Sequence, residues 1–398
     1  MTTYVHTSVD GPVLHKTNRT TSISEWLGLT TFHGTPAVVV EAVDAKKQIV
    51  ALLDLLSLRL AGHVPATSSV AVLLHAPHPE AVAALEVLRD AVADEVEVNL
   101  LQCDCSTTVG SLWLPVPPAA FDTADPQYYP RWPGLLAQDF TPPRLVAELL
   151  DLVELDELRA YPQLTATGEW SIRLEGLQIG RITRRERGYL DVGSIGKYGA
   201  LGYERSAWLA IHPSGAFRFD DTNLDQAASM IIRFAEAWTW IAGGTQNEHV
   251  LESRILRGRT TVGTGRGALE PVRPDPHINW GSQFPTKWGP VRSARYLDAL
   301  LRDPIDPTVP WAIEMKVRLS EGQYYRHAVA QAVLYRHFIK KAESLHFWFK
   351  PYGLDPQQCR AAVVVPTFTT PAWEERLRGL CELFDVELVV VDEEHTLR

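Results

Sequence analysis

The run WAIEMKV at residues 311–317 constrains this chain more than any other stretch, because it is typical of a strand that carries two charged side chains. Residues two apart in a strand share a face, so Glu314 and Lys316 would point to one side while the apolar residues between them fill the opposite, buried side. A Pro- and Asp-rich loop precedes this run and can turn the chain back onto another strand-like run, which carries Asp298. The pattern therefore predicts neighbouring strands that bring two carboxylates and an ammonium together.

Two carboxylates and a lysine in this arrangement are the minimum equipment for metal-assisted hydrolysis of phosphodiesters. Carboxylate oxygens can hold a hard divalent cation, and we expect Mg²⁺ or Mn²⁺. A neighbouring ammonium can position the attacking water and offset developing negative charge. Taken alone, however, an E-x-K pattern is more often a surface ion pair in an ordinary hairpin, so the interpretation depends on the surrounding sequence.

Two predicted helices supply that context. The run after Glu314 has helical periodicity and contains Gln331 and Tyr335, which are four apart and so lie on one helix face. Upstream, NEHVLESRIL predicts another helix, on which Glu248 and Glu252 are one turn apart. The pattern leaves open which of these two glutamates faces the site.

With these motifs in this order, residues 246–398 resemble the PD-(D/E)XK (restriction endonuclease-like) nuclease superfamily. More narrowly, they resemble the branch with a Q-x-x-x-Y helix after the E-x-K strand, as in RecB-like nucleases. Leu297 stands where the name-giving proline would be. The matching residues are Asp298, Glu314, Lys316, Gln331 and Tyr335.

The resemblance implies a role for each matching residue. Asp298, Glu314 and the backbone carbonyl of Met315 would bind the metal, and Lys316 would position the water. Gln331 and Tyr335 would orient the metal's waters or the substrate phosphate. Either Glu248 or Glu252 would be the metal-proximal helix glutamate.

The distribution of charge matters more than its total. The formal net charge of -10 argues against a protein that coats nucleic acid through a generally basic surface. Residues 253–297 depart from this balance, with eight Arg or Lys against Glu270 and Asp275. We expect Arg292 and Arg295 to contact substrate phosphates; the alternative is a solvated basic loop.

Strand and helix patterns predict an α/β fold in three parts. Residues 1–135 alternate strand and helix, and residues 136–245 form an α+β segment with an antiparallel sheet. For residues 246–398 the resemblance implies a mixed sheet flanked by helices. Within these parts, the Pro-Ser-Gly signal in residues 207–221 predicts a hairpin, and the glycine cluster at 263–267 predicts a mobile loop.

The end of the chain repeats the order of its beginning. Residues 361–394 can be aligned with residues 70–104, strand on strand and helix on helix, which favours an internal duplication. The first copy would be a degenerate nuclease-like lobe, because Glu41 and Val43 stand where the second copy has its glutamate and lysine. Convergence on a common βαβ pattern and an independent Rossmann-like sensor lobe remain the alternatives.

The cysteines and the apolar runs bear on the cellular setting. Cys103, Cys105, Cys359 and Cys381 form no C-x-x-C pair, so free thiols are expected. The N-terminus has no signal-peptide pattern, and the most apolar helical run is interrupted by charge and too short to span a bilayer. We therefore expect a cytoplasmic protein without membrane contact.

These patterns predict a divalent-metal-dependent nuclease whose partner is nucleic acid, with DNA as the expected substrate. Phage defence and DNA repair are both compatible with it. The N-terminal lobe could support a homodimer or bind a protein partner. The alternative function is a catalytically inactive nucleic-acid-binding or assembly protein that keeps the nuclease fold.

Overall fold

The computed structural model describes residues 10–14, 27–40, 44–104, 112–119, 122, 124–193, 202–238, 248–288, 295–317, 323–366, 368 and 371–391. Over these ranges the chain has the predicted α/β fold, with sheets flanked by helices. None of the helices in them is both long and apolar enough to cross a membrane. Cys103, Cys359 and Cys381 are free thiols, and Cys105 lies outside the described residues.

The first part of the chain builds a six-stranded sheet with two helices. Its elements are β1 (Asp10–Leu14), β2 (Leu27–Phe32), β3 (Thr35–Val40), α1 (Ala45–Leu60), β4 (Ser69–Leu74), α2 (Pro79–Ala91), β5 (Glu97–Asp104) and β6 (Leu112–Pro115). The strands follow chain order, with β3, β4 and β5 parallel and the outer neighbours antiparallel. Both crossovers between parallel strands are helices, as the apolar periodicity predicts.

The middle part is an antiparallel sheet with helices on one face. Its elements are α3 (Trp132–Leu136), α4 (Arg144–Val153), β7 (Leu158–Pro162), β8 (Glu169–Leu174), β9 (Leu177–Thr183), β10 (Arg187–Leu190), α5 (Tyr203–Ile211), β11 (Phe217–Phe219) and α6 (Leu224–Trp238). The strand order is β11-β10-β9-β8-β7. The antiparallel sheet expected here is confirmed.

The hairpin predicted at residues 207–221 is wrong. Its first arm is the end of helix α5, and only β11 is a strand. A short apolar run such as this one fits either a strand or a helix. Packing decides the choice, because Trp208 is buried against Phe234 of α6, with ring centroids 6.0 Å apart.

The last part contains α7 (Glu248–Leu256), β12 (Gly263–Thr264), β13 (Gly267–Ala268), β14 (Glu270–Pro271), β15 (Pro285–Thr286), β16 (Arg295–Tyr296), β17 (Ala299–Arg302), β18 (Pro310–Met315), α8 (Gln323–Lys341), β19 (Arg360–Pro366), α9 (Pro371–Leu383) and β20 (Glu387–Val391). The mobile loop expected at 263–267 is instead the turn of the β12–β13 hairpin. The Gly265 N–H ties this turn to Glu387 Oε1 of β20, at 2.9 Å.

The first and last sheets share one topology. The last sheet has the order β14-β17-β18-β19-β20, antiparallel up to β18 and parallel from there, with α8 and α9 as crossovers. The first sheet has the same sequence of directions from β2 to β5, with α1 and α2 as crossovers. This order is what a duplication predicts, although the duplication stays a prediction and Glu41 and Val43 lie outside the described residues.

The two α/β lobes meet through their helices. Helix α1 packs against α8 and α9, and the apolar core is continuous through this contact. At its centre, the buried carboxylate of Asp54 accepts a hydrogen bond from the buried guanidinium of Arg326. A buried charge persists only when it is paired, so this ion pair fixes the register of the helices.

The middle sheet is joined to the last lobe by backbone hydrogen bonds. The Asn279 N–H donates to the Ala160 carbonyl of β7 at 3.0 Å, and the Ala160 N–H donates to the His277 carbonyl at 2.9 Å. A few residues on, Ser282 forms an antiparallel bridge with Ala299 of β17. The segment from 277 to 283 therefore connects the middle sheet to the strand that begins after Asp298.

Candidate functional site

Strands β17 and β18 place Asp298 and Glu314 across from each other. Ala299 pairs with Ile313 in this antiparallel ladder. Asp298, just before Ala299, and Glu314, just after Ile313, are therefore opposite each other on the same side of the sheet. The Met315 N–H donates a hydrogen bond of 2.7 Å to Asp298 Oδ2. The two carboxylates predicted from the alternation are therefore neighbours.

Lys316, which directly follows β18, contacts Glu314 and completes a group of three charged residues, Asp298, Glu314 and Lys316, called the Asp298 cluster below. Its ammonium donates to Glu314 Oε1 and, at 2.7 Å, to the Met315 carbonyl. Glu248 Oε1 of α7 lies 3.4 Å from the same nitrogen. Glu314 and Lys316 are both buried, so the charged face of this strand is enclosed rather than solvated.

Helix α8 covers the cluster with the face that its four-residue spacing predicts. The Tyr335 hydroxyl donates to the Tyr296 carbonyl at 3.0 Å, and the Gln331 amide donates to the Tyr335 hydroxyl at 3.3 Å. One turn earlier on this face lies His327, whose buried Nδ1 has no hydrogen-bond partner among the described residues. Burial and the nearby charge of Lys46 lower the pKa of His327 to about 3, which leaves the ring neutral.

Both helix glutamates border the cluster, from different positions on α7. Glu248 contacts Lys316, as described above. Glu252 is buried and accepts a hydrogen bond from the Ser282 hydroxyl. Arg173 of β8 lies 3.8 Å from Glu252 Oε1, and His249 Nδ1 lies 3.5 Å from Oε2.

The enclosure shifts the pKa of each charged group. The residue Asp298 as a whole is half-buried, but its carboxyl group is enclosed by protein. This burial and the charge of Glu314 raise the pKa of Asp298 well above the ordinary value. Burial also raises the pKa of Glu314, against the pull of Lys316. For Lys316, burial lowers the pKa, but the surrounding carboxylates outweigh it and the net pKa is raised. The lysine therefore acts as a fixed cation, and not as a base.

The donor set suits a hard cation. Glu314 Oε2 is buried and accepts no hydrogen bond of normal geometry among the described residues. The Tyr335 hydroxyl, which donates to the Tyr296 carbonyl, is near enough to lower the pKa of Glu314 against the effect of burial. Asp298 and the Met315 carbonyl supply further oxygens beside Glu314. The described residues contain no group of three or more His, Cys, Asp or Glu side chains placed to hold a metal. The candidate set is thus two carboxylates and a carbonyl, to be completed by water or phosphate oxygens.

The arginine predictions have different outcomes. Arg292 lies outside the described residues. Arg295 pairs with Glu80 of α2, with Nη2 and Oε1 3.1 Å apart, and its guanidinium lies 5.1 Å from the ring centre of Trp288. In this structure, then, Arg295 joins the two lobes beside the cluster.

Several residues at the site carry no signal in the sequence. Arg173 and Ser282 come from distant stretches and contact Glu252 only through tertiary packing, and the charge of the exposed Lys46 acts on His327. None of them belongs to a spaced motif. Comparisons of the chain with models of protein families, with curated proteins and with solved structures found no match.

Proposed function

We propose that the protein is a divalent-metal-dependent nuclease that hydrolyses phosphodiester bonds, with DNA as its substrate. One observation carries the proposal: two carboxylates on adjacent strands converge beside a buried lysine, and one buried carboxylate oxygen accepts no hydrogen bond of normal geometry from the residues that the structure describes. A lone ion pair would have no use for the second carboxylate, whose burial costs free energy. Phage defence and DNA repair are both roles that such an activity would suit.

Asp298, Glu314 and the Met315 carbonyl would hold the cation, as the PD-(D/E)XK resemblance implies. A bound Mg²⁺ or Mn²⁺ supplies Lewis-acid chemistry at the phosphate and a more acidic water. The Lys316 ammonium stays protonated and stabilises negative charge on the phosphate oxygens. Tyr335 and Gln331 donate and accept hydrogen bonds next to the carboxylates, where they orient water or phosphate.

Incubation with circular plasmid and linear DNA tests the proposal, with Mg²⁺, with Mn²⁺ or with a chelator. Wild type is expected to cut only with metal. Glu314→Gln and Lys316→Met are expected to lose activity by about 100-fold or more, because each removes a charge at the reacting phosphate. The matched controls are Asp90→Asn near the end of α2 and Lys341→Ala at the C-terminal end of α8, which both change exposed side chains. Equal cutting by wild type and the two site variants would remove the proposal.

A non-catalytic nucleic-acid-binding or assembly protein is the second candidate. It is favoured by the way Lys316 already bonds to both Glu314 and the Met315 carbonyl, which satisfies two of the oxygens that a cation would use. Binding of DNA without cleavage under any metal would support this candidate. Metal-dependent cleavage lost in the Lys316→Met variant would exclude it.

A further inference from the structure

The face of the middle sheet opposite α4 and α6 carries a cavity beside the candidate site. Its volume is about 560 Å³, within the range of roughly 300–1,000 Å³ typical of small-molecule sites. The walls come from β8, β9 and β10, from the start of α7 and from Gln283. No residue of the Asp298 cluster itself lines it, so among the described residues it is a separate site.

Three contacts connect residues of the cavity lining with residues that border the cluster. Arg173 lines the cavity and lies 3.8 Å from Glu252, and His249 lines it and lies 3.5 Å from the same carboxylate. The Gln283 N–H donates a hydrogen bond of 3.0 Å to the Leu297 carbonyl, immediately before Asp298. The lining of the cavity is therefore joined, through Glu252 and through the Leu297 carbonyl, to the segments that border Asp298.

Most of the polar side chains in the lining are amides and guanidinium groups, and Tyr189, Asp191 and His249 complete it. Gln163, Gln178 and Gln283 each present a donor and an acceptor, the combination that reads the edges of unpaired bases. Gln283 also has a φ of 58°, a left-handed conformation that is rare for a residue other than glycine and that often marks a binding site. The neighbouring Arg181 has a buried Nε without a hydrogen-bond partner among the described residues, while its Nη1 lies 3.9 Å from Glu169 Oε2.

The lining of the cavity also contains an exposed aromatic ring. Tyr189 of β10 is 37% exposed and is the cross-strand partner of Arg181. Exposed aromatic rings beside arginines are the usual platform for stacked bases. Asp191, the acidic residue that lines the cavity, is already paired with Arg205, so its charge is offset.

We propose that this cavity binds one unpaired nucleotide of the strand that enters the candidate site, with its base against Tyr189 and the glutamine amides and its phosphate near Arg181. A cavity of about 560 Å³ has room for a single nucleotide, and the base edges that the glutamine amides would read are accessible only when the base is unpaired. The substrate is then a nucleic acid with a single-stranded segment or end. This inference rests on the proposed nuclease function and names its substrate class.

Binding can be measured apart from cleavage. The probe is a fluorescently labelled single-stranded oligodeoxynucleotide, titrated with the full chain in the presence of a chelator and read by fluorescence anisotropy. Tyr189→Ala is expected to weaken binding by about 10-fold, the effect of losing one stacked base. Gln178→Ala is expected to weaken it as well, while Tyr189→Phe restores wild-type affinity and Leu152→Ala, an exposed apolar control on α4, has no effect. A blunt duplex of the same sequence should bind more weakly than the single strand.

Two outcomes would overturn the assignment. Unchanged affinity in Tyr189→Ala and Gln178→Ala would show that the strand does not enter the cavity. Binding of a free mononucleotide that depends on Tyr189, but that the oligonucleotide does not displace, would assign the cavity to a soluble nucleotide. Failure of the nuclease proposal looks different, because the oligonucleotide would bind in the predicted manner and no metal would support its cleavage.

Discussion

The Met315 N–H donates a hydrogen bond of 2.7 Å to Asp298 Oδ2, so the backbone of one strand holds the carboxylate of the next. This contact keeps Asp298 beside Glu314, although two neighbouring carboxylates repel each other. The arrangement therefore stores an unfavourable charge interaction at the site where a cation is proposed to bind.

Replacing Asp298 should separate its structural role from its chemical role. Asp298→Asn keeps an oxygen for the Met315 N–H and removes the enclosed charge, so the metal-free variant should be at least as stable as wild type. Because the pKa of Asp298 is raised in the folded protein, its charging destabilises the fold as pH rises, and the advantage of Asn should grow with pH. Asp298→Ala leaves the buried N–H unpaired and should cost about 1–3 kcal/mol. Urea unfolding measures both; equal stability of the Asn and Ala variants would contradict the prediction.

His327 should make the protein sensitive to acid. Its pKa is lowered from 6.5 to about 3 on folding, so between these values the unfolded chain binds more protons than the folded one. The free energy of unfolding should therefore fall as pH drops below 6.5, by up to about 1.4 kcal/mol per pH unit. His327→Gln should have a shallower pH dependence in chemical denaturation, whereas the exposed control His63→Gln should keep the wild-type slope. A parallel shift of the whole curve would argue against this assignment.

Gly176 should be indispensable for the position of α7. Its φ is +82°, and a Cβ there would lie 1.9 Å from the His249 carbonyl oxygen, so Gly176→Ala must displace the helix that carries Glu248 and Glu252. Gly353 has a similar φ of +69° with open space around it. Gly353→Ala should cost only the conformational strain, about 1–2 kcal/mol. Gly176→Ala should cost more and should also lower nuclease activity; similar melting temperatures for the two variants would refute the predicted clash.

The buried pair between the lobes should be costly to break. Asp54→Ala leaves the buried Arg326 without its carboxylate, with an expected loss of about 3–5 kcal/mol. The control Glu374→Ala breaks the exposed pair with Arg378, and its expected cost is below about 1 kcal/mol. Urea denaturation compares the two variants. A loss at Asp54 as small as that at Glu374 would mean that Arg326 finds another partner or water.

Much of the site could be predicted from spacing alone. The two-residue period of β18 places Glu314 and Lys316 on one face, and the four-residue period of α8 aligns Gln331 with Tyr335. Both relationships depend only on local geometry, which the order of residue types reveals. The hairpin predicted at 207–221 failed for the converse reason, since a five-residue apolar run has no period long enough to exclude a helix.

By itself, the order of residues determined most of the strands and helices and which side chains share a face, because these depend on neighbours along the chain; the run at 207–211, which packing makes a helix, is an exception. Only the tertiary structure decided that Glu314 and Lys316 are buried, that Glu248 reaches Lys316 and that Glu252 meets Arg173 and Ser282. These contacts join segments far apart in sequence, and their strength depends on how much water the surrounding elements exclude. Burial converts an ordinary E-x-K pattern into a cluster whose carboxyl groups and ammonium have shifted pKa values.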